Sequence, residues 1–118
     1  MPASAPEGEV LLDAAIAYLE GELLPGLSGY HRFQTRVAVN VLAQVRRELA
    51  LAAPQERAER ARLEALLGHE GSRDALSREL AGRIRDGGIR LDDPALLDHL
   101  RLSLVEALRI NNPKWLPD

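Results

Sequence analysis

Apolar residues recur every three or four positions along most of the chain, which is the spacing of one face of an α-helix. Five such stretches are separated by glycine- and proline-rich segments, where a helix stops or the chain turns. Leucine and alanine dominate the apolar set, and both are strong helix formers. We therefore predict five amphipathic helices, over residues 7–24, 30–53, 54–67, 72–86 and 93–111.

The second of these stretches carries a long apolar stripe. Its members follow one another at four-residue intervals: Phe33, Val37, Val41, Val45 and Leu49. An apolar stripe of this kind is expected to face the core of a globular domain. The sequence therefore predicts that the second helix is central and that its stripe is buried.

Several helix ends have local sequence signals. Pro54 is predicted to open the third helix, because the first turn of a helix leaves its N–H groups unpaired anyway. Ser72 is a suitable N-cap for the fourth helix. Either Asp92 or Asp93 is expected to cap the fifth helix, with Pro94 in its first turn.

Connections of only a few residues force neighbouring helices to run in opposite directions. The predicted fold class is therefore all-α, a compact bundle of about five antiparallel amphipathic helices. A chain of 118 residues has room for one such domain. We expect a flexible N-terminus at residues 1–6, the helical bundle domain at 7–111 and a C-terminal tail at 112–118.

Composition and charge exclude several classes of function. The net charge of −3 provides no basic field for phosphates, so nucleic acid is not an expected partner. The absence of cysteine excludes disulfides and thiolate chemistry. No apolar run reaches the roughly 18 residues of a membrane span, and the start of the chain has no signal-peptide pattern. We expect a cytoplasmic protein with no membrane partner.

The common catalytic motifs are missing. Neither G-x-x-x-x-G-K-[ST] nor G-x-G-x-x-G occurs, so nucleotide binding through these loops is excluded. The positions three residues before the histidines hold Ser28, Leu66 and Leu96, so the Glu-x-x-His pair of di-metal bundles is absent. We therefore expect no catalytic residues, no metal and no cofactor.

Four residues are candidates for a ligand or partner site: Arg36, Asn40, His31 and Trp115. Arg36 and Asn40 lie within one helical turn beside the stripe, and polar groups buried there would need hydrogen-bond partners. A structural network is the preferred interpretation of this pair, and a ligand or partner site is the alternative. His31 and His99 are interpreted first as structural histidines. Trp115 is expected to fold back over the helices, or else to anchor a partner.

Residues 54–86 also allow a helix-turn-helix interpretation in which arginines meet DNA phosphates. However, Asp74 and Glu79 stand four residues before Arg78 and Arg83, which is the spacing of ion pairs on a solvated helix face. DNA binding is therefore the third of the functional hypotheses.

Several segments resemble a bacterial family of all-helical domains of unknown function. They are residues 33–40 (FQTRVAVN), 45–49 (VRREL) and 91–97 (LDDPALL), with the Asn-Pro pair at 112–113. Members of that family are small proteins often encoded beside an aminoglycoside-phosphotransferase-like kinase and an acyl-CoA dehydrogenase. The resemblance implies a setting of acyl-chain or hydroxy-acid catabolism, and it supplies no catalytic residues.

The leading hypothesis is a non-catalytic accessory or partner-binding subunit associated with such a kinase. A homodimer is a further expectation, because a small Leu- and Ala-rich bundle can leave an apolar stripe uncovered. The alternative is a small-molecule binder for an acyl-CoA or a hydroxy acid, or an enzyme of unrecognised type. In that case Arg36, Asn40 and His31 would line the pocket.

Overall fold

The structure, a computed structural model, describes residues 7–117. This part of the chain contains four α-helices and no strand. The helices are α1 (Gly8–Tyr18), α2 (Gly29–Leu67), α3 (Arg73–Arg85) and α4 (Pro94–Asn111). The all-α class is confirmed, and the predicted number of five helices is wrong by one. The flexible terminus predicted at residues 1–6 lies outside the described residues.

The difference in helix number arises at Pro54, which lies inside α2 instead of opening a new helix. A proline in a helix interior removes one backbone hydrogen bond and crowds the carbonyl four residues earlier. The residues on both sides are alanine, leucine, glutamine, glutamate and arginine, all of which favour helix strongly. The flanking propensity therefore outweighs the cost of the proline, and the helix continues through it.

Two compact units divide the chain, and the boundary falls inside α2 next to Pro54. Unit 1 is Met1–Ala52 and unit 2 is Ala53–Asp118. In unit 1, α1 is prolonged by a π-helical turn, Leu19–Leu23, and a 3-10 turn, Leu24–Gly26. Leu24 and Val39 are buried there.

A single arginine fastens the connection between α1 and α2. The Arg32 Nη1 atom donates to the carbonyl oxygens of Leu24, at 3.1 Å, and Leu27, at 3.3 Å. The Leu24 carbonyl also accepts from the Leu27 N–H at 3.1 Å, so Arg32 adds a side-chain donor at a helix end, where carbonyl groups have fewer helical partners. Gly29 then begins α2 with a φ of 59°, a left-handed conformation that glycine adopts without a Cβ clash.

Unit 2 has a core of leucines contributed by the end of α2, by α3 and by α4. The buried members are Leu63, Leu67, Leu76, Leu80 and Leu96. The helix ends are formed as their local signals predict: the Ser72 hydroxyl accepts from the Ala75 N–H at 3.2 Å. Gly68 and Gly87 have positive φ values just after α2 and α3 end.

The cap of α4 is Asp93, not Asp92. Asp93 Oδ1 accepts from the N–H groups of Ala95, at 2.8 Å, and Leu96, at 3.2 Å. Asp92 instead pairs with Arg90 at 2.9 Å on the surface.

We expect Asp93→Ala to lower the free energy of unfolding by about 1 kcal/mol, because two N–H groups lose their acceptor. Urea denaturation followed by circular dichroism measures the change. Asp92→Ala is the matched control and should leave the midpoint nearly unchanged. An equal loss in both variants would show that Asp93 does not act as the cap.

Candidate functional site

A polar network joins α2 to α4 within unit 2, and Arg62 is its centre. The Arg62 Nη2 atom donates to Glu106 Oε1 at 2.8 Å, and Nη1 donates to Glu106 Oε2 at 3.3 Å. Nη2 also donates to the Ser103 hydroxyl at 3.3 Å, and Nε donates to His99 Nδ1 at 3.1 Å. The arginine and the glutamate side chains are only 18% and 16% exposed. All three nitrogens of the guanidinium group are therefore engaged.

The helical period of α4 explains how these partners meet one arginine. His99, Ser103 and Glu106 are spaced four and three residues apart, so they lie on one face of α4. Gln55 precedes Arg62 on α2 by seven residues, or about two helical turns. Its Nε2 atom donates to the Glu106 carbonyl oxygen at 3.0 Å. The network therefore fixes the register of α4 against the second half of α2.

The hydrogen bond from Arg62 sets the protonation state of His99. Arginine can only donate, so Nδ1 must accept and the ring proton of a neutral imidazole must sit on Nε2. Burial lowers the pKa of His99 below the ordinary histidine value, and the charge of Arg62 lowers the pKa further. The charges of Glu59 and Glu106 act in the opposite direction and are weaker causes. His99 is therefore a neutral donor at neutral pH.

A groove of about 210 Å³ opens beside this network. Half of its lining residues are apolar, and the others are two charged residues and the histidine: Ala65, Leu66, Ala95, Arg62, Asp98 and His99. His99 is 5% exposed, and the only hydrogen bond described for its ring is at Nδ1. No side-chain nitrogen or oxygen in residues 7–117 is both fully buried and unpaired. No partner is described for the Nε2 atom, and His99 is one of the residues that line the groove.

The four residues proposed from the sequence as a ligand or partner site do not belong to this network, whereas His99, interpreted as a structural histidine, does. Arg36, Asn40 and His31 are all exposed on α2 in unit 1, and Arg36 and Asn40 make no side-chain hydrogen bond with another described residue. The structural network that was the preferred interpretation of Arg36 and Asn40 is therefore not present among the described residues. The His31 ring lies edge-on to Tyr30, with ring centroids 5.3 Å apart. Trp115 is 74% exposed in a 3-10 turn, Pro113–Trp115, so it does not fold back over the helices.

In unit 1 the charges of α1 face α2. Arg46 of α2 binds Asp13 at 3.0 Å and Glu9 at 3.3 Å, and these are the two acidic residues of α1. The other side of α1 carries exposed apolar side chains, with Val10 and Leu11 each 56% exposed and Tyr18 54% exposed. The usual arrangement, with apolar residues inside and charges outside, is therefore partly reversed in this helix.

The apolar stripe of α2 is also exposed, contrary to the prediction that it is buried. We call it the α2 stripe, and its members are 40–69% exposed: Tyr30, Phe33, Val37, Val41, Val45 and Leu49. The side of α2 that carries Arg46 and the buried Val39 faces inward instead. In α4, likewise, Leu97, Leu100 and Leu104 are 43–68% exposed, whereas Leu96 and His99 are buried.

A second histidine, His69, occupies an exposed ion pair between the end of α2 and α3. Its Nε2 atom lies 2.7 Å from Glu79 Oε1, and its Nδ1 atom lies 2.9 Å from the Glu70 carbonyl oxygen. Both ring nitrogens face acceptors, which favours the doubly protonated ring. The hydrogen bond with Glu79 is the largest cause that raises the pKa of His69, and the same contact lowers the pKa of Glu79.

This pair predicts a pH dependence of stability. Because the pKa of His69 is higher in the folded chain, its contribution is fully present below the unfolded value of about 6.5. It is lost as the pH rises through the raised pKa. Urea denaturation should therefore show that His69→Gln destabilises the chain more at about pH 5.5 than at about pH 9. His31→Gln serves as the control, and a pH-independent effect of His69→Gln would contradict the assignment.

The fold and the site together define an all-helical protein with a largely buried polar network around Arg62 and with exposed apolar helix faces. Residues 25–115 match the family described as Domain of unknown function (DUF6285). The chain belongs to this family. No curated protein and no solved structure matches the chain.

Within residues 7–117, no three His, Cys, Asp or Glu side chains are grouped so that they could hold a metal ion. None of the helices described is long and apolar enough to cross a membrane.

Proposed function

We propose that this chain is a non-catalytic accessory subunit that binds another protein through the α2 stripe. The exposure of the stripe is the observation that carries the proposal. Six large apolar side chains, two of them aromatic, stand 40–69% exposed along 20 residues of one helix, Tyr30 to Leu49. Contiguous exposed apolar surface of this extent is a mark of interaction sites.

The spacing of the stripe indicates how a partner would bind it. From Phe33 to Leu49 the members are four residues apart, so they form a ridge that runs obliquely around the helix. Such a ridge fits an apolar groove between two helices of a partner, as in helix-in-groove recognition. The exposed part of the ridge amounts to roughly 600 Å², close to the roughly 800 Å² that each partner contributes to a standard interface.

Polar residues beside the stripe would set specificity at its rim. Arg36 and Asn40 follow Phe33 and Val37 by three residues, so each lies next to the ridge on the helix surface. Both side chains are exposed and can therefore bind carboxylates or carbonyl groups of a partner. The proposal therefore adopts the partner-site interpretation of Arg36 and Asn40, with both residues at the rim of the interface.

The partner we propose is the phosphotransferase-like kinase that the family resemblance implies as a genomic neighbour, in a cytoplasmic setting of acyl or hydroxy-acid catabolism. The test is co-expression of the two proteins followed by size-exclusion chromatography coupled to light scattering. A complex of defined stoichiometry at micromolar concentration is expected. Separate elution of the two proteins together with unchanged kinase activity would contradict the proposal.

A second copy of this chain is the competing occupant of the ridge. The chain measured alone in the light-scattering experiment reports its mass directly. A monomer that forms a complex with the kinase supports the proposal, whereas a stable dimer that excludes the kinase overturns it in favour of a homodimer.

A further inference from the structure

The geometry points to a second binding site, in the groove beside His99, for a small neutral aliphatic amide. The observation is independent of the α2 stripe, because all the residues that line this groove belong to unit 2. What distinguishes the groove is a histidine that is 95% shielded from solvent and yet leaves a donor unused.

The donor is held in one protonation state and in one orientation. Arg62 Nε occupies the Nδ1 acceptor of His99, so the proton sits on Nε2, for which no partner is described, and the residue lines the groove. Glu106 and Ser103 in turn hold the guanidinium group of Arg62. A donor fixed in this way loses little conformational freedom when it binds an acceptor, which favours a carbonyl oxygen of a ligand.

Asp98 determines the second half of the ligand. It lines the same groove, and Arg101 Nη2 donates to its Oδ1 atom at 3.0 Å, which leaves Oδ2 as an available acceptor. A ligand with a carbonyl for His99 and an N–H for Asp98 satisfies both groups, and a carboxamide has this pair. A carboxylate ligand brings an acceptor to His99 but has no N–H, and Asp98 repels its charge.

The walls and the volume limit the rest of the molecule. Ala65, Leu66 and Ala95 give the groove an apolar surface, so the body of the ligand is aliphatic. A volume of about 210 Å³ corresponds to about seven water molecules at roughly 30 Å³ each. An amide with a branched chain of three or four carbons, such as isobutyramide, is therefore of suitable size.

NMR titration of the full chain tests the assignment, with isobutyramide and isobutyrate as the probes and the His99 ring nitrogens as the readout. Isobutyramide should give a saturable shift at His99 Nε2, and isobutyrate should bind about tenfold more weakly because Asp98 repels it. Equal responses to the two probes, or a shift that never saturates, would overturn the proposal.

Variants at exposed positions keep the test separate from folding. Ala95→Leu fills the groove and should abolish the shift, whereas Ala107→Leu, an exposed alanine on the same helix that does not line the groove, should leave binding unchanged. Asp98→Asn should remove most of the preference for the amide over the carboxylate. Retained binding in Ala95→Leu, or a preference unchanged by Asp98→Asn, would exclude this groove as the site.

Discussion

Arg62→Met is expected to lower the free energy of unfolding by about 2–3 kcal/mol. The reason is Glu106, whose side chain is only 16% exposed and whose carboxylate would lose both of its hydrogen bonds to the guanidinium group. His99 Nδ1 and the Ser103 hydroxyl would lose the same donor. Urea denaturation of the wild type and the variant measures the difference.

Two further variants separate the effect of leaving a buried charge unpaired from the effect of losing the packing of the arginine side chain. In Arg62→Met/Glu106→Met no charge is left unpaired, and most of the lost stability should return. Arg73→Met removes a longer surface pair, 3.6 Å from Glu59, and should change stability by less than about 0.5 kcal/mol. If Arg62→Met were as harmless as Arg73→Met, the network would not be what fixes α4 against α2.

Val37→Glu/Val41→Glu should weaken binding to the partner kinase by at least about 100-fold, because two apolar side chains in the middle of the α2 stripe become charged. Their present exposures, 40% and 55%, mean that neither is required in the core of unit 1. The variant should therefore keep the helical circular dichroism of the wild type. Isothermal titration against the purified kinase measures the affinity.

The matched control places the same two charges elsewhere on the same helix. Ala58→Glu/Ala61→Glu adds glutamates at exposed positions of α2 in unit 2, and it should bind the kinase as the wild type does. Equal affinities of the two double variants would exclude the α2 stripe from the interface.

The helix ends were predictable from the sequence because their signals are local. A hydroxyl or carboxylate cap followed by the first turn, as at Ser72 and Asp93, requires only a few neighbouring residues. The same holds for Gly68 and Gly87, which have the left-handed backbone that glycine accommodates best. Such features do not depend on which other elements pack nearby.

Pro54 and the α2 stripe were predicted wrongly because their structures depend on a balance of several interactions and not on one local signal. At Pro54, the helix propensity of a long flanking sequence outweighs one lost hydrogen bond. At the stripe, periodicity identifies an apolar face but does not say what covers it. The pairing of Arg46 with Glu9 and Asp13, more than 30 residues away, turns the opposite face of α2 toward α1.

The Arg62 network was missed because its members are separated by 37 to 44 residues and match no motif. One sequence signal could have indicated it. His99, Ser103 and Glu106 form a polar line at i, i+4 and i+7 within a helix that is otherwise rich in leucine. Polar residues on one side of such a helix either face solvent or need buried partners, and Arg62 supplies the partner.

Site-specific photocrosslinking tests the central claim, that the α2 stripe binds the partner protein, most directly. A photoreactive phenylalanine analogue is placed at Val41, in the middle of the stripe, and at Arg78, on the exposed surface of α3. The proposal predicts that Val41 forms a covalent adduct with the kinase and that Arg78 does not. Adducts at Arg78 alone, or self-crosslinked dimers at Val41 without any kinase adduct, would contradict it.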